Sequence, residues 1–165
     1  MVDRRTFLLA GAGLAGAALL TQGRMVMAQG ALAEGTEFPF TLSDAQWREK
    51  LSDMQYFILR EHGTEHAFTS PLDKIYDPGT YHCAGCDQAL YSSEVKFDSR
   101  TGWPSFWEAL PDAVGTSMDT TLWIPRVECH CANCGGHLGH IFDDGPPPTG
   151  KRHCINGVAL SFVAA

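Results

Sequence analysis

Trp47, Leu51, Met54, Phe57 and Ile58 recur at the spacing of one helix face. Ser43 stands where an N-cap belongs, and Gln46 three residues later completes a capping box. The pattern predicts a helix from Ser43 that stops before Gly63 and buries that apolar face as core. From Phe68 onward the texture changes. Short apolar runs are interrupted by Pro71, Pro78-Gly79, Gly102, Pro104, Pro111, Gly115, Pro125 and Gly135-Gly136. Strands are expected at 79–82, 89–91, 95–97, 122–129, 138–142 and 153–162. Such short strands with frequent turns predict a mainly β chain of antiparallel sheets, with a short helical segment before them. A stiff Gly145-Pro146-Pro147-Pro148-Thr149-Gly150 stretch precedes Cys154, and no internal repeat is visible.

The first 28 residues follow a different pattern. A charged start containing Arg4-Arg5, an apolar Gly/Ala-rich run over 6–20, and Val26-Met27-Ala28 at its end have the layout of a cleaved signal peptide. The Arg pair followed by Phe7-Leu8 is the twin-arginine form, which leads to the bacterial periplasm. The run is short for a membrane span of about 20 residues, so no stable membrane anchor is expected. Residues 29–41 read as a polar leader and residues 42–165 as one domain.

A hydrophobic fraction of 44% suits a packed core. The net charge of -7 excludes a nucleic-acid binder, whose affinity rests on Lys and Arg at phosphates. Residues 1–28 hold Asp3 and three arginines, so their removal moves the charge to -9.

Six cysteines refine this picture. Cys83 and Cys86, and again Cys131 and Cys134, form Cys-x-x-Cys knuckles, each able to present two thiolates to one Zn2+. Together they predict a closed, structural site with no position left for water. The 44 residues between the knuckles exceed the gap of a free-standing zinc ribbon, so the metal would clip distant parts of a larger domain. Redox pairs or periplasmic disulfides are the alternative.

Cys154 lies in Lys151-Arg152-His153-Cys154-Ile155-Asn156. Nearby cations favour a thiolate, and on a strand Arg152, Cys154 and Asn156 share a face. A lone cysteine of this kind is otherwise inert core filling. Upstream, His137 and His140 would face opposite ways on a regular strand, unless a turn at Gly139 brings both to one cleft, where imidazoles can donate protons.

Six segments occur in order: Arg60-Glu61-His62-Gly63-Thr64-Glu65, Phe68-Thr69-Ser70-Pro71-Leu72, Phe97-Asp98-Ser99, Gly102-Trp103-Pro104-Ser105-Phe106, the run from His137 to Gly145, and the run from Arg152 to Asn156. With both knuckles in place, this set resembles methionine-R-sulfoxide reductase of the B type, over about residues 42–163. The resemblance implies two antiparallel sheets with the active cleft away from the zinc. It implies Cys154 as nucleophile, Trp103 against the substrate methyl, and His137, His140 and Asn156 around the sulfoxide oxygen. Arg152 and Asp143 would join the same polar set. The implied reaction leaves a sulfenic acid on Cys154, reduced by a thioredoxin-like thiol, with oxidised proteins or free methionine sulfoxide as substrate.

The sequence departs from that family at Thr101, where many members carry a resolving cysteine. Cys129 is the one cysteine left for that role, and its place beside a zinc knuckle predicts too long a distance. His153 stands where an aromatic is common. Two other classes compete. A zinc-knuckle binding module would need a basic or aromatic recognition surface. A thiol–disulfide oxidoreductase would place Cys83-x-x-Cys86 at a helix start in an alternating α/β pattern.

Overall fold

The structure is a computed structural model and describes residues 37–165. The signal-peptide reading of 1–28, and the leader as far as residue 36, lie outside the described residues.

The region read as one helix is two: α1, Asp44–Lys50, and α2, Asp53–Glu61. Leu51 is extended, and Ser52 starts a second helix with its own capping box to Gln55. Ser43 and Gln46 form the first, as expected. The break resets the helical phase. Trp47, Leu51, Tyr56, Ile58 and Leu59 are buried, whereas Met54 and Phe57 stay exposed. Two competing caps nine residues apart outweigh one continuous apolar stripe, because each satisfies orphan N–H groups at a helix start.

Nine strands follow: β1 Gly79–Cys83, β2 Ala89–Ser92, β3 Lys96–Phe97, β4 Ser105–Phe106, β5 Val114–Asp119, β6 Arg126–Cys131, β7 His137–Phe142, β8 Arg152–Ile155 and β9 Leu160–Ala164. They form two antiparallel sheets, in the orders β2-β1-β9 and β3-β4-β8-β7-β6-β5. The mainly β fold with two antiparallel sheets therefore stands. Two expected strands differ. The 122–129 candidate begins only at Arg126, because Leu122, Trp123 and Ile124 form the exposed tip of the β5–β6 hairpin. The 153–162 candidate is split between the sheets by a 3-10 turn at Gly157–Ala159. The Glu65 carboxylate holds that turn, accepting N–H bonds from Gly157 at 2.5 Å and Val158 at 3.1 Å.

The core lies between the sheets. Tyr91 stacks on Phe106 with ring centroids 4.3 Å apart, and Tyr81 meets Phe106 edge-on. Leu90, Leu138 and Ile155 complete it, all fully buried. Such aromatic pairs add about 0.5–1.5 kcal/mol each beyond area burial. α2 packs across β7 and the turn at Gly157–Ala159.

Candidate functional site

The two knuckles have the same local geometry. Asp87 N–H donates to Cys83 O at 2.8 Å, and Gly135 N–H donates to Cys131 O at 2.9 Å. Asp87 and Gly135, each following the second cysteine of its knuckle, both take positive φ. The turns bring Cys83 Sγ to 3.7 Å from Cys134 Sγ, and Cys86 Sγ to 3.6 Å from Cys131 Sγ. All four sulfurs lie within 4.8 Å of one another. A tetrahedral ion with Zn–S bonds of about 2.3 Å needs sulfurs roughly 3.8 Å apart, whereas a disulfide needs about 2.05 Å. The donor set fits one metal ion, and all six cysteines are free. Hydrogen bonds among the four thiols push Cys83 and Cys134 up and Cys86 and Cys131 down. An ion here would join β1 of the small sheet to β6 of the large one.

The second cluster lies on the face of the large sheet away from the small one. Ser117 of β5, Glu128 of β6, His140 of β7, Cys154 of β8 and Ser105 of β4 are successive cross-strand partners. Their side chains therefore share a face. His137 joins them through a bulge. His130 pairs with His137 and Cys129 with Gly139, so Leu138 is an extra residue in β7. Such an insertion re-aims the adjacent side chains. The His137 and His140 rings stand 5.3 Å apart on one side. The device expected at Gly139 thus sits at Leu138. Gly139 matters for a different reason. A Cβ there would lie 2.0 Å from Cys154 O, so only glycine lets β7 approach β8 at Cys154.

Each imidazole is held by a carboxylate. His137 Nδ1 meets Glu128 Oε1 at 2.7 Å, and His140 Nε2 meets Asp119 Oδ2 at 2.7 Å. His62, at the left-handed C-cap of α2, also reaches Glu128 Oε1 at 3.0 Å. Burial opposes the ionisation of Glu128, but hydrogen bonds from His137, His62 and Ser117 hold its carboxyl well below the usual range. Burial likewise opposes ionisation of Asp119, and bonds from Thr121, His140 and Arg126 outweigh it. Burial lowers His140 against the pull of Asp119. His137 Nε2 is buried without a partner.

Cys154 is partly exposed, and Thr101 Oγ1 is 4.0 Å from its sulfur. Burial pushes the thiol above its ordinary value, against the opposing charge and hydrogen bond of Arg152 and the hydrogen bond from Thr101. The expectation that neighbouring cations make it a thiolate is therefore met only in part: Arg152 acts on it, but desolvation wins. Arg152 is clamped by Asp144, with Nε–Oδ1 and Nη2–Oδ2 both 2.8 Å, and lies over the Phe142 ring. Asp143 stands apart from this set. It is exposed and pairs with Lys151 at 2.5 Å, so Asp144 holds the place expected of Asp143.

Asn156 is buried and already engaged. Its Oδ1 accepts Glu65 N–H at 3.0 Å, and its Nδ2 donates to Leu138 O at 2.9 Å. One Nδ2 proton remains for a ligand. Trp103, two residues from Ser105, is partly exposed and donates from Nε1 to Glu65 O at 3.2 Å. Glu65 thus ties together Trp103, Asn156 and the turn after Cys154. A groove of about 1160 Å³ has Arg60, His62, Thr64, Asp119 and Arg126 in its walls, together with His137 and His140. The sequence assigned no role to Glu65, Glu128, Asp119 or His62. Only Glu65 and His62 carried a signal, as members of the segment Arg60–Glu65.

Cys129 belongs to the other face. It pairs with Gly139, which pairs with Ile155, and its sulfur meets Tyr91 OH at 3.4 Å in the core. Burial pushes its thiol up to about 12. His153 shares that face. Its Nδ1 lies 3.2 Å from the same Tyr91 hydroxyl, and burial, with Lys151, lowers it to about 4.

Comparison with known proteins agrees with this geometry. The model of the SelR domain matches residues 51–164. A peptide methionine sulfoxide reductase MsrB of Agrobacterium fabrum is 55% identical over 121 residues, covering 73% of this chain and 90% of that protein. The MsrB of Thiobacillus denitrificans is 56% identical over 121 residues, covering 73% and 92%. The chloroplastic B1 enzyme of Arabidopsis thaliana is 47% identical over 133 residues, covering 80% and 65%. With the knuckles, the strand of Cys154 and the cleft histidines all inside the 51–164 match, the chain belongs to the family of methionine-R-sulfoxide reductases of the B type.

Proposed function

We propose that the protein reduces methionine R-sulfoxide, free or within polypeptides, through a sulfenic acid on Cys154 that a thioredoxin-like dithiol regenerates. The observation that carries this is the cross-strand row that sets Cys154 directly beside His140, with His137 on the same face. The Cys154 thiol attacks the sulfoxide sulfur while the oxygen accepts a proton from the imidazole side of the cleft. The S–O bond breaks, methionine leaves, and the oxygen ends on Cys154 as Cys–SOH. The substrate sulfur gains two electrons and Cys154 loses two. A dithiol then returns them, becoming a disulfide and releasing water. Trp103 offers an apolar wall to the methyl group. Because the resting thiol is raised, deprotonation of Cys154 accompanies substrate engagement, with Arg152 stabilising the thiolate.

The four-cysteine site is proposed to hold one structural Zn2+ by Cys83, Cys86, Cys131 and Cys134. On β6 it is three residues beyond Glu128, about 10 Å along the strand, so it supports the cleft without touching the reacting atoms. Among the described residues no helix is long and apolar enough to cross a membrane. The Arg4-Arg5 signal supports export to the periplasm by the twin-arginine route, which carries folded proteins and suits a domain that must take its metal first.

The deciding experiment is turnover of the separated R and S epimers by the purified protein and by Cys154→Ser. R-restricted activity that vanishes in the folded variant is expected. Equal use of both epimers, or an active Cys154→Ser, would sink the assignment.

A further inference from the structure

Three elements converge beside the cleft. His62 comes from the end of α2, Glu128 from β6 and His137 from β7. Both imidazole Nδ1 atoms point at one carboxylate oxygen, at 3.0 and 2.7 Å. The three donor atoms lie within 4.8 Å of one another. Glu128 and His137 are buried and fixed by the sheet, while His62 is exposed and closes the set from the groove side. Charges along that groove are mixed. Asp44, Glu61 and Asp119 face Arg48, Arg60 and Arg126, so no single-sign wall repels a cation.

We infer that His62, Glu128 and His137 form a second metal site, distinct from the four cysteines, that binds a divalent transition-metal ion and thereby switches off the reductase. Two imidazole nitrogens and one carboxylate oxygen are a borderline donor set, which selects ions of the Zn2+ or Cu2+ kind over Mg2+ or Ca2+. Three protein ligands leave an open position for water. A tetrahedral ion with bonds of about 2.1 Å holds its donors roughly 3.4 Å apart, so the His62–Glu128 contact of 3.0 Å must open by about 0.4 Å and the His137–Glu128 contact of 2.7 Å by about 0.7 Å, within the reach of side-chain rotation. Binding displaces the Nδ1 protons. His137 then carries metal on Nδ1, and its one remaining N–H is on Nε2. Metal on Nδ1 replaces the Glu128 hydrogen bond that orients this ring, so the ring leaves the position in which it serves the sulfoxide oxygen. This inhibitory consequence rests on the proposed reductase function; the binding itself does not.

The test uses the zinc-loaded protein carrying Cys154→Ser, which removes the partly exposed thiol as a competing ligand. Calorimetry with Zn2+ and absorption with Co2+ as the probe should show one further equivalent. The cobalt spectrum should carry visible ligand-field bands without sulfur-to-metal charge transfer. His62→Asn keeps a residue tolerant of the left-handed backbone at that cap and removes the imidazole. It should weaken the extra site by at least about tenfold, the range that even an outer-shell partner can reach. With Cys154 intact, added Zn2+ should inhibit the wild type, and His62→Asn should need at least about tenfold more. No further equivalent up to about 1 mM, a thiolate-type cobalt spectrum, or equal binding by His62→Asn overturns the site. Equal zinc sensitivity of the two active proteins overturns the switch, because inhibition would then reside at Cys154. A protein that binds the extra ion but has no reductase activity refutes the proposed function and leaves the site standing.

Discussion

After one turnover the oxidised Cys154 should remain a sulfenic acid, because no thiol among the described residues can reach it. Cys129 is the one cysteine outside the four-sulfur cluster that could serve. It lies on β6 and Cys154 on β8, with β7 between them. At about 4.8 Å per strand their Cα atoms are at least roughly 9.6 Å apart, beyond the limit of about 7 Å for a disulfide. They also project from opposite faces of the sheet. Thr101 differs: its Oγ1 is 4.0 Å from Cys154 Sγ, and a sulfur there needs to close by about 2 Å to reach bonding distance. That is a side-chain rotation with a small loop shift. The assay treats reduced protein with one equivalent of R-sulfoxide, then a sulfenic-acid reagent, followed by peptide mapping. Wild type and Cys129→Ser should both be labelled at Cys154. Thr101→Cys should instead yield an internal disulfide between positions 101 and 154, with the label lost. A Cys129–Cys154 disulfide in the wild type, or a Thr101→Cys protein still labelled in full, would refute the face-and-distance reasoning.

Three further outcomes are expected. Arg152→Ala removes the charge that favours the Cys154 thiolate, so the thiol pKa rises further; alkylation of Cys154 should slow at fixed pH, and its pH profile should move to higher pH. Glu128→Gln removes a charged acceptor shared by His137, His62 and Ser117; at about 1.5–3 kcal/mol for a bond to a charged group, kcat should fall roughly 10–100-fold with a smaller change in KM, as measured by steady-state kinetics. Cys131→Ser, or chelation of the metal, should remove several kcal/mol of the about 5–15 kcal/mol that holds a domain folded, and should show as loss of cooperative melting together with loss of zinc by metal analysis.

Some of this protein was decided locally, in the chain itself. A Cys-x-x-Cys turn places two sulfurs together through its own backbone bonds, so both knuckles were legible from spacing alone. The first capping box was visible in Ser43 and Gln46. The second, Ser52 with Gln55, was equally present but was masked by an apolar stripe that runs across the break. Strand alternation placed Arg152 and Cys154 on one face. What alternation could not supply was the bulge at Leu138, since an extra residue is defined only against the partner strand. The pairing of His137 with Glu128 and of His140 with Asp119 depends likewise on which strands become neighbours. The choice of Asp144 over Asp143 turns on which adjacent carboxylate the loop aims at Arg152. The sequence carries chemistry and local geometry because these depend on neighbours a few residues apart. Register, burial and the sign of the Cys154 shift come from groups dozens of residues away along the chain, and only the packed sheets bring them into contact.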